Sequence, residues 1–334
     1  MGVTSRAGVI PESLNLDSIG TFGKTVRDSV YALDAIYGVD ERDSYTAAQK
    51  GKTPSDDGGY SQFLTNKSAL EGAVFGLPSA SFWAKGVGKQ NEKLHELIDL
   101  MKDAGAAIIE GTEITNHETI VSANGWDWDW GTSRGHPEES EYTFVKVDFY
   151  NNLNAYLSEL ENTEIRSFED IVKYNRENNA IEGGEPGAHP AFASGQDGLL
   201  AALETKGEMN ETYKKALNFC QTSTRKGIDD ALHTRHPEHN PSGKKLNGLL
   251  VPTEAAQTYQ IAAQAGYPMV SIPAGVGETG IPYSLSIMNT AYSEPELVRY
   301  ASAIEDLQVS SGLPYKRTLP EWRGYQTRNL PIIM

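Results

Sequence analysis

Two pairs of residues, Ser223 with Lys226 and Ser242 with Lys245, have the S-x-x-K spacing that can set a lysine amine beside a serine hydroxyl, as a nucleophile and its base. Penicillin-recognising enzymes that use this spacing need further Ser and Lys motifs, which this chain lacks, so both pairs read as exposed helix or loop residues. His233, His236 and His239 stand three apart and could share a metal on a helix, but Pro237 and the Asn240-Pro241 step make the segment a solvated loop. His189 sits in a Gly/Pro-rich break with no evident partner. AGVGETG carries Gly275, Gly277 and Gly280 at the spacing of a dinucleotide loop, yet the alternating text after Pro282 continues as a strand, where that loop needs a helix, so it reads as a hairpin turn. The chain has no G-x-S-x-G elbow, and DDGGYS, with Gly58, Gly59 and Ser61, has loop residues for neighbours. No catalytic residue, metal ligand or cofactor is assigned from these patterns. WDWDWG, from Trp126 to Gly131, holds three of the five tryptophans; an extended backbone would put Trp126, Trp128 and Trp130 on one side as an apolar wall, against a core or against a ligand.

The elements that would carry these residues are legible in part. Thr25 with Asp28 forms a capping box, Val26, Val30, Leu33 and Tyr37 mark one face, and Gly38 ends the helix. The polar text from Asp40 to Ser61 is a surface loop, and AVFGLPSASFW is a buried strand. A helix over QNEKLHELIDLMKDAG, with Leu94, Leu97, Ile98 and Met101 on one face, leads to the strand AAIIE, and strand-helix-strand predicts a parallel crossover. FYNNLNAYLSEL and SFEDIVKYNREN are helical, the second opening on a Ser167–Asp170 box, and GQDGLLAALETK and NETYKKALNFCQTSTRKGIDDAL follow. NGLLVPT, MVSIPAG and IPYSLSIM are strands, and SEPELVRYASAIEDLQ is a closing helix capped by Ser293 with Glu296. At the front, Val3–Ile10 reads as an extended, strand-like run of interior character, although chain ends usually fray.

Bulk properties narrow the partners. At 334 residues the chain can bury a substantial core, and 32 glycines and 16 prolines imply many turns, which makes a loop-rich α/β protein. A formal charge of −16 without basic clusters argues against nucleic acid. The lone Cys220 excludes an internal disulfide and reads as a packing residue. No segment approaches the roughly 20 apolar residues of a membrane helix. Sequons at Asn66 and Asn210 permit secretion without arguing for it, so the compartment stays unassigned.

The order of segments resembles a family. SRAGVIPESLNLDSIGTFGKTVRDSVYALDAIYGVDERD is similar to the stretch of amidase signature enzymes just after their nucleophile. VDFYNNLNAYLSEL with IRSFEDIVKYNREN resembles their middle region, and NGLLVPT, AGYPMVSIPAG and GIPYSLSIMNTAYSEPELVRYASAIE their last strands and closing helix. The resemblance implies an α/β/α domain around a large, twisted mixed sheet, of which residues 1–334 form a single partial domain with the N-terminal part of the fold missing. It implies amide hydrolysis or transfer on a small-molecule amide, without a cofactor. The family's nucleophilic serine, cis-peptide serine and general-base lysine all precede the block where this chain starts, and Lys146, in VKVD, aligns with a later, non-catalytic region. Amide turnover by that mechanism is therefore not expected of this chain alone. Trp126, Trp128, Trp130, Tyr142 and Phe144 are the candidates for substrate contact. Missing strands and helices would leave apolar faces and strand edges uncovered, with poor solubility, unless a complementary chain supplies the missing half. A non-catalytic interaction protein that pairs through such a face is the other reading.

Overall fold

The Thr25 hydroxyl accepts from the Asp28 N–H at 3.0 Å while the Asp28 carboxylate accepts from the Thr25 N–H at 3.0 Å. This expected box satisfies two of the amides that a helix start leaves without intrahelical partners, and it opens α1 (Val26–Ile36). The computed structural model describes residues 1–54, 58–86, 88–120, 129–253, 255, 258–277 and 280–312. Trp126 and Trp128 lie outside the described residues, as does the tail beyond Gly312.

β1 (Val74–Leu77), α2 (Gly88–Asp103) and β2 (Ala107–Glu110) form the expected crossover, with β1 and β2 parallel from Val74↔Ala107 to Leu77↔Glu110. Gly105, at φ +93°, makes the left-handed turn that ends α2. The strand is shorter than AVFGLPSASFW suggests. Pro78 cannot donate to a ladder, and the chain turns so that the Trp83 indole N–H reaches the Leu250 carbonyl at 2.8 Å.

Then come α3 (His117–Ile120), α4 (Trp130–Ser133), α5 (Glu141–Glu159), α6 (Phe168–Glu177), α7 (Asn179–Glu182), α8 (Asp197–Thr205) and α9 (Glu211–Leu232). α5 starts well before the expected Phe149. Its first half packs Phe144, Val145 and Val147 against α9, and its second half packs Leu153 and Leu157 with Phe168, Val172 and Ala202 of α6 and α8. Two successive partners replace the single apolar stripe that periodicity detects. The Ser167–Asp170 box opens α6 as expected.

β3 (Leu249–Pro252), α10 (Thr258–Ala265), β4 (Met269–Val276), β5 (Pro282–Met288) and α11 (Glu294–Ser310) complete the order. The sheet runs β2-β1-β3-β5-β4, with β1 parallel to β2 and β3 and with β5 antiparallel to β3 and β4. Its mixed character follows from connection length: a helix returns the chain parallel, a short turn antiparallel. Side chains alternate across it. Leu250, Ile272, Leu285 and Ile287 face α1, α2 and α11, whereas Leu249, Val251 and Met288 face α9 and α10, which makes three layers, α/β/α.

Two expectations need correction. Val3–Ile10 is not a strand: apart from a bridge between Thr4 and Tyr37 it makes turns, because Arg6 is drawn inward to Asp43. Ser293 precedes α11 but its side chain caps nothing, and Glu296 turns instead to Lys245 and to Asn289 Nδ2 at 3.1 Å. The described sheet ends on β2 and β4 as its outer strands. β2 has only four residues and ends on Glu110, while β4 carries a register shift at Pro273/Gly275, and Gln308 Nε2 donates to the Pro273 carbonyl at 3.2 Å. Proline, bulges and short length all discourage a further strand. Large apolar side chains are exposed at Phe22, Val309, Ile181 and Ile10, and at the β4 edge Val276 and Ile281 are exposed too.

Candidate functional site

From β1 the chain moves outward to β2 and later returns to the other side of β1 as β3, so the parallel strands reverse their order between β1 and β3. In open α/β sheets the crevice beyond the carboxyl ends at such a reversal is where ligands bind. The turn after β1 supplies Ser79, Ala80 and Ser81, the turn after β2 supplies Glu113, and Thr253 follows β3 directly. The Glu113 carboxylate accepts from the Ala80 N–H and the Ser81 N–H, each at 2.8 Å, and from the Ser81 hydroxyl at 2.5 Å, which ties the two turns together.

A row of hydroxyls continues across β3, β5 and β4. Thr253 Oγ1 is 3.0 Å from the Ser284 carbonyl and 2.6 Å from Ser286 Oγ, which is 2.9 Å from Ser271 Oγ. Proton count sets the direction of this chain. A carbonyl only accepts, so Thr253 donates to Ser284, Ser286 to Thr253 and Ser271 to Ser286. Ser286 is buried and Ser271 exposed, so the open end of the row offers a lone pair. Among the described residues no lysine or histidine hydrogen-bonds to these hydroxyls, and a serine without a base is a weak nucleophile. The row can position a hydrogen-bond donor; it is not built to attack. Its sequence signal is the alternation in VSIP and YSLSI, which puts the serines on one side of adjacent strands.

The other sequence candidates separate. Lys226 pairs with Asp230 one helical turn on, and Lys245 with Glu296 and, at 3.3 Å, with Asn289, so both S-x-x-K amines are committed to acceptors other than serine. Lys245 is half-buried rather than fully exposed. His236 and His239 stack at 4.9 Å within the polar loop, and AGVGETG joins β4 to β5 as a hairpin turn, the Gly277 N–H donating to the Ile281 carbonyl at 2.8 Å. In DDGGYS the Asp34 carboxylate receives the N–H groups of Tyr60 and Ser61. Burial pushes the Cys220 thiol well above its usual range, so it stays protonated in its packing role. Tyr142 and Phe144 share α5 but not a face: Tyr142 is half-buried with Lys146 Nζ 4.9 Å from its ring, and Phe144 is wholly interior beside Tyr213 and Cys220. Trp130 opens α4.

Two buried carboxylates fix the front of the chain. Asp43 takes Arg6 bidentately, Nε and Nη2 each at 2.8 Å, and the arginine lowers the carboxyl below its usual range. Asp148, 2% exposed, accepts from Ser13 Oγ at 2.6 Å, Asn15 Nδ2 at 2.9 Å and the Tyr213 hydroxyl at 2.7 Å.

Fold and site together define a three-layer α/β/α protein with a mixed sheet, a strand reversal between β1 and β3, and a row of hydroxyls across β3, β5 and β4. Residues 1–298 match the Amidase family model, and the chain belongs to that family. It is 48% identical over 333 residues to a Schizosaccharomyces pombe protein provisionally named an amidase, covering 99% of this chain and 55% of that one. It is 35% identical over 305 residues to an Arabidopsis thaliana protein, also provisionally named an amidase, covering 91% and 51%. The native peptide amidase of Stenotrophomonas maltophilia superposes with a TM-score of 0.71 at 25% identity, over 91% of this chain and 56% of that chain. The chain thus spans about half the length of the relatives it matches. No helix among the described residues is long and apolar enough to cross a membrane.

Proposed function

We propose that this chain contributes the substrate-side half of an amide hydrolase and turns over amides only when a complementary chain or segment supplies the serine-lysine chemistry. The observation that carries this reading is the commitment of both S-x-x-K amines: Lys226 to Asp230, and Lys245 to Glu296 and Asn289. Each amine is hydrogen-bonded to a carboxylate and, among the described residues, to no serine, and a serine without a base in reach is a weak nucleophile. Membership of the Amidase family supports amide hydrolysis as the class. The hydroxyl row, with its lone-pair end at Ser271, would suit the N–H side of a small amide, and Trp126, Trp128, Trp130 and Tyr142 stay the candidates for substrate contact. Residues 1–334 act in this reading as a single partial domain.

The test is an assay of the purified chain on small aryl and aliphatic amides with a serine-reactive probe, repeated after mixing with the Gly/Ser-rich, lysine-bearing half of an amidase relative. The expected result is no turnover or labelling alone and turnover on mixing. Turnover by the chain alone would overturn the need for a complement, and no gain on mixing would remove the split-enzyme reading.

A further inference from the structure

Glu141, at the start of α5, points its carboxyl at α10. Its Oε2 lies 3.1 Å from Gln260 Nε2 and 2.5 Å from Gln264 Nε2. Both glutamines are buried, at 7% and 3% exposure, and the Oε1 of each is buried without a hydrogen-bond partner among the described residues. The titratable groups that face Glu141 are Glu12 of the opening segment and Cys220 of α9; α10 brings only the two amides. Among the described residues no cationic side chain pairs with it. An isolated carboxylate in such a place costs several kcal/mol, and groups so placed commonly neutralise instead.

The buried Oε1 of Gln264, which has no donor among the described residues, says how the neutral form bonds. Gln260 Nε2 donates to Oε2 at 3.1 Å, and the Gln264 amide lies 2.5 Å from the same oxygen. The ends of a glutamine amide have the same shape, so turning Gln264 places its carbonyl oxygen opposite Oε2 and gives it a donor. We propose that Glu141 is a buried proton site, a neutral carboxylic acid that latches α5 to α10 and releases that pair of helices when it ionises. Burial raises its carboxyl above the ordinary range, the Glu12 carboxylate adds to the rise, and the glutamine N–H groups oppose it. α10 joins β3 to β4, so the latch holds the helix behind the hydroxyl row.

The sign follows from linkage. Above the ordinary glutamate value the folded chain keeps a proton that the unfolded chain has lost, so this group makes stability fall as pH rises, until the folded form also ionises. Glu141→Gln keeps shape and hydrogen bonds but carries no proton to lose. Unfolding of wild type and E141Q is compared by denaturant titration across about pH 5 to 9, beside isotope-edited NMR of the wild-type glutamate carboxyls. The expected result is that E141Q becomes the more stable at alkaline pH, the ratio of unfolding constants growing about tenfold per pH unit until Glu141 ionises, with one glutamate carboxyl, absent from E141Q, titrating late. A ratio that does not change with pH, or a Glu141 carboxyl titrating in the ordinary range, overturns the proposal. If E141Q does not fold, the wild-type NMR titration decides alone.

Discussion

Replacing Arg6 with alanine removes the cation from a pair whose side chains are 4% and 6% exposed. The loss is larger than that of a surface ion pair, which is worth at most about 1 kcal/mol. Asp43 would be left as a buried carboxylate without its two 2.8 Å bonds from Nε and Nη2, and the Leu14 carbonyl would lose its 2.6 Å donor, Arg6 Nη1. Breaking one side of such a pair costs about 3–5 kcal/mol. With an unfolding entropy of roughly 2.1 cal/mol/K per residue, a chain of 334 residues has about 0.7 kcal/mol/K, so Tm should fall by roughly 4–7 °C. Scanning calorimetry of Arg6→Ala, Asp43→Ala and the double variant measures both the loss and the coupling, and Arg6→Met with Asp43→Leu should recover most of the stability. The pH dependence has a definite sign. Arg6 depresses the folded Asp43 carboxyl, so its contribution is present above the ordinary value of 3.8 and is lost as pH falls toward the folded one. The gap between wild type and Arg6→Ala should therefore narrow in acid. A Tm shift under about 1 °C, or coupling under about 0.5 kcal/mol, would refute the account of the opening segment as anchored by a buried charge pair.

Other substitutions probe separate parts of the argument. Asp148→Ala strands the Ser13, Asn15 and Tyr213 donors and should cost about 2–4 kcal/mol in a denaturant titration, with Asp148→Asn costing less because the amide keeps an acceptor. Gly59→Ala adds a Cβ that would meet Asp34 Oδ1 at 2.5 Å on a backbone at φ +53°, so it should destabilise by about 1–3 kcal/mol; an unchanged Tm would show that the loop is not held by Asp34. Cys220, buried with its thiol kept protonated, should react with a maleimide only as fast as the protein unfolds, and labelling at the rate of free cysteine would contradict its placement between α5 and α9.

Local chemistry was readable from the chain itself. The boxes at Thr25–Asp28 and Ser167–Asp170 each lie within four residues, and Leu94, Leu97, Ile98 and Met101 repeat at helical spacing, so short-range rules find them without a partner. The crossover to a parallel β2 and the β4–β5 hairpin were legible for the same reason, as was the resemblance to the family. The rest depends on contacts between distant residues. Arg6 meets Asp43 and Asp148 meets Ser13 only once the chain has folded, and an unpaired arginine in an apolar run looks the same in sequence whether it faces water or a carboxylate. Phe144 is an ordinary aromatic until α9 covers it, and Glu141 an ordinary surface acid until Gln260 and Gln264 arrive. Periodicity records which side of an element is apolar; only the tertiary structure decides what that side meets, and desolvation by the partner turns a common residue into an anchor or a proton site.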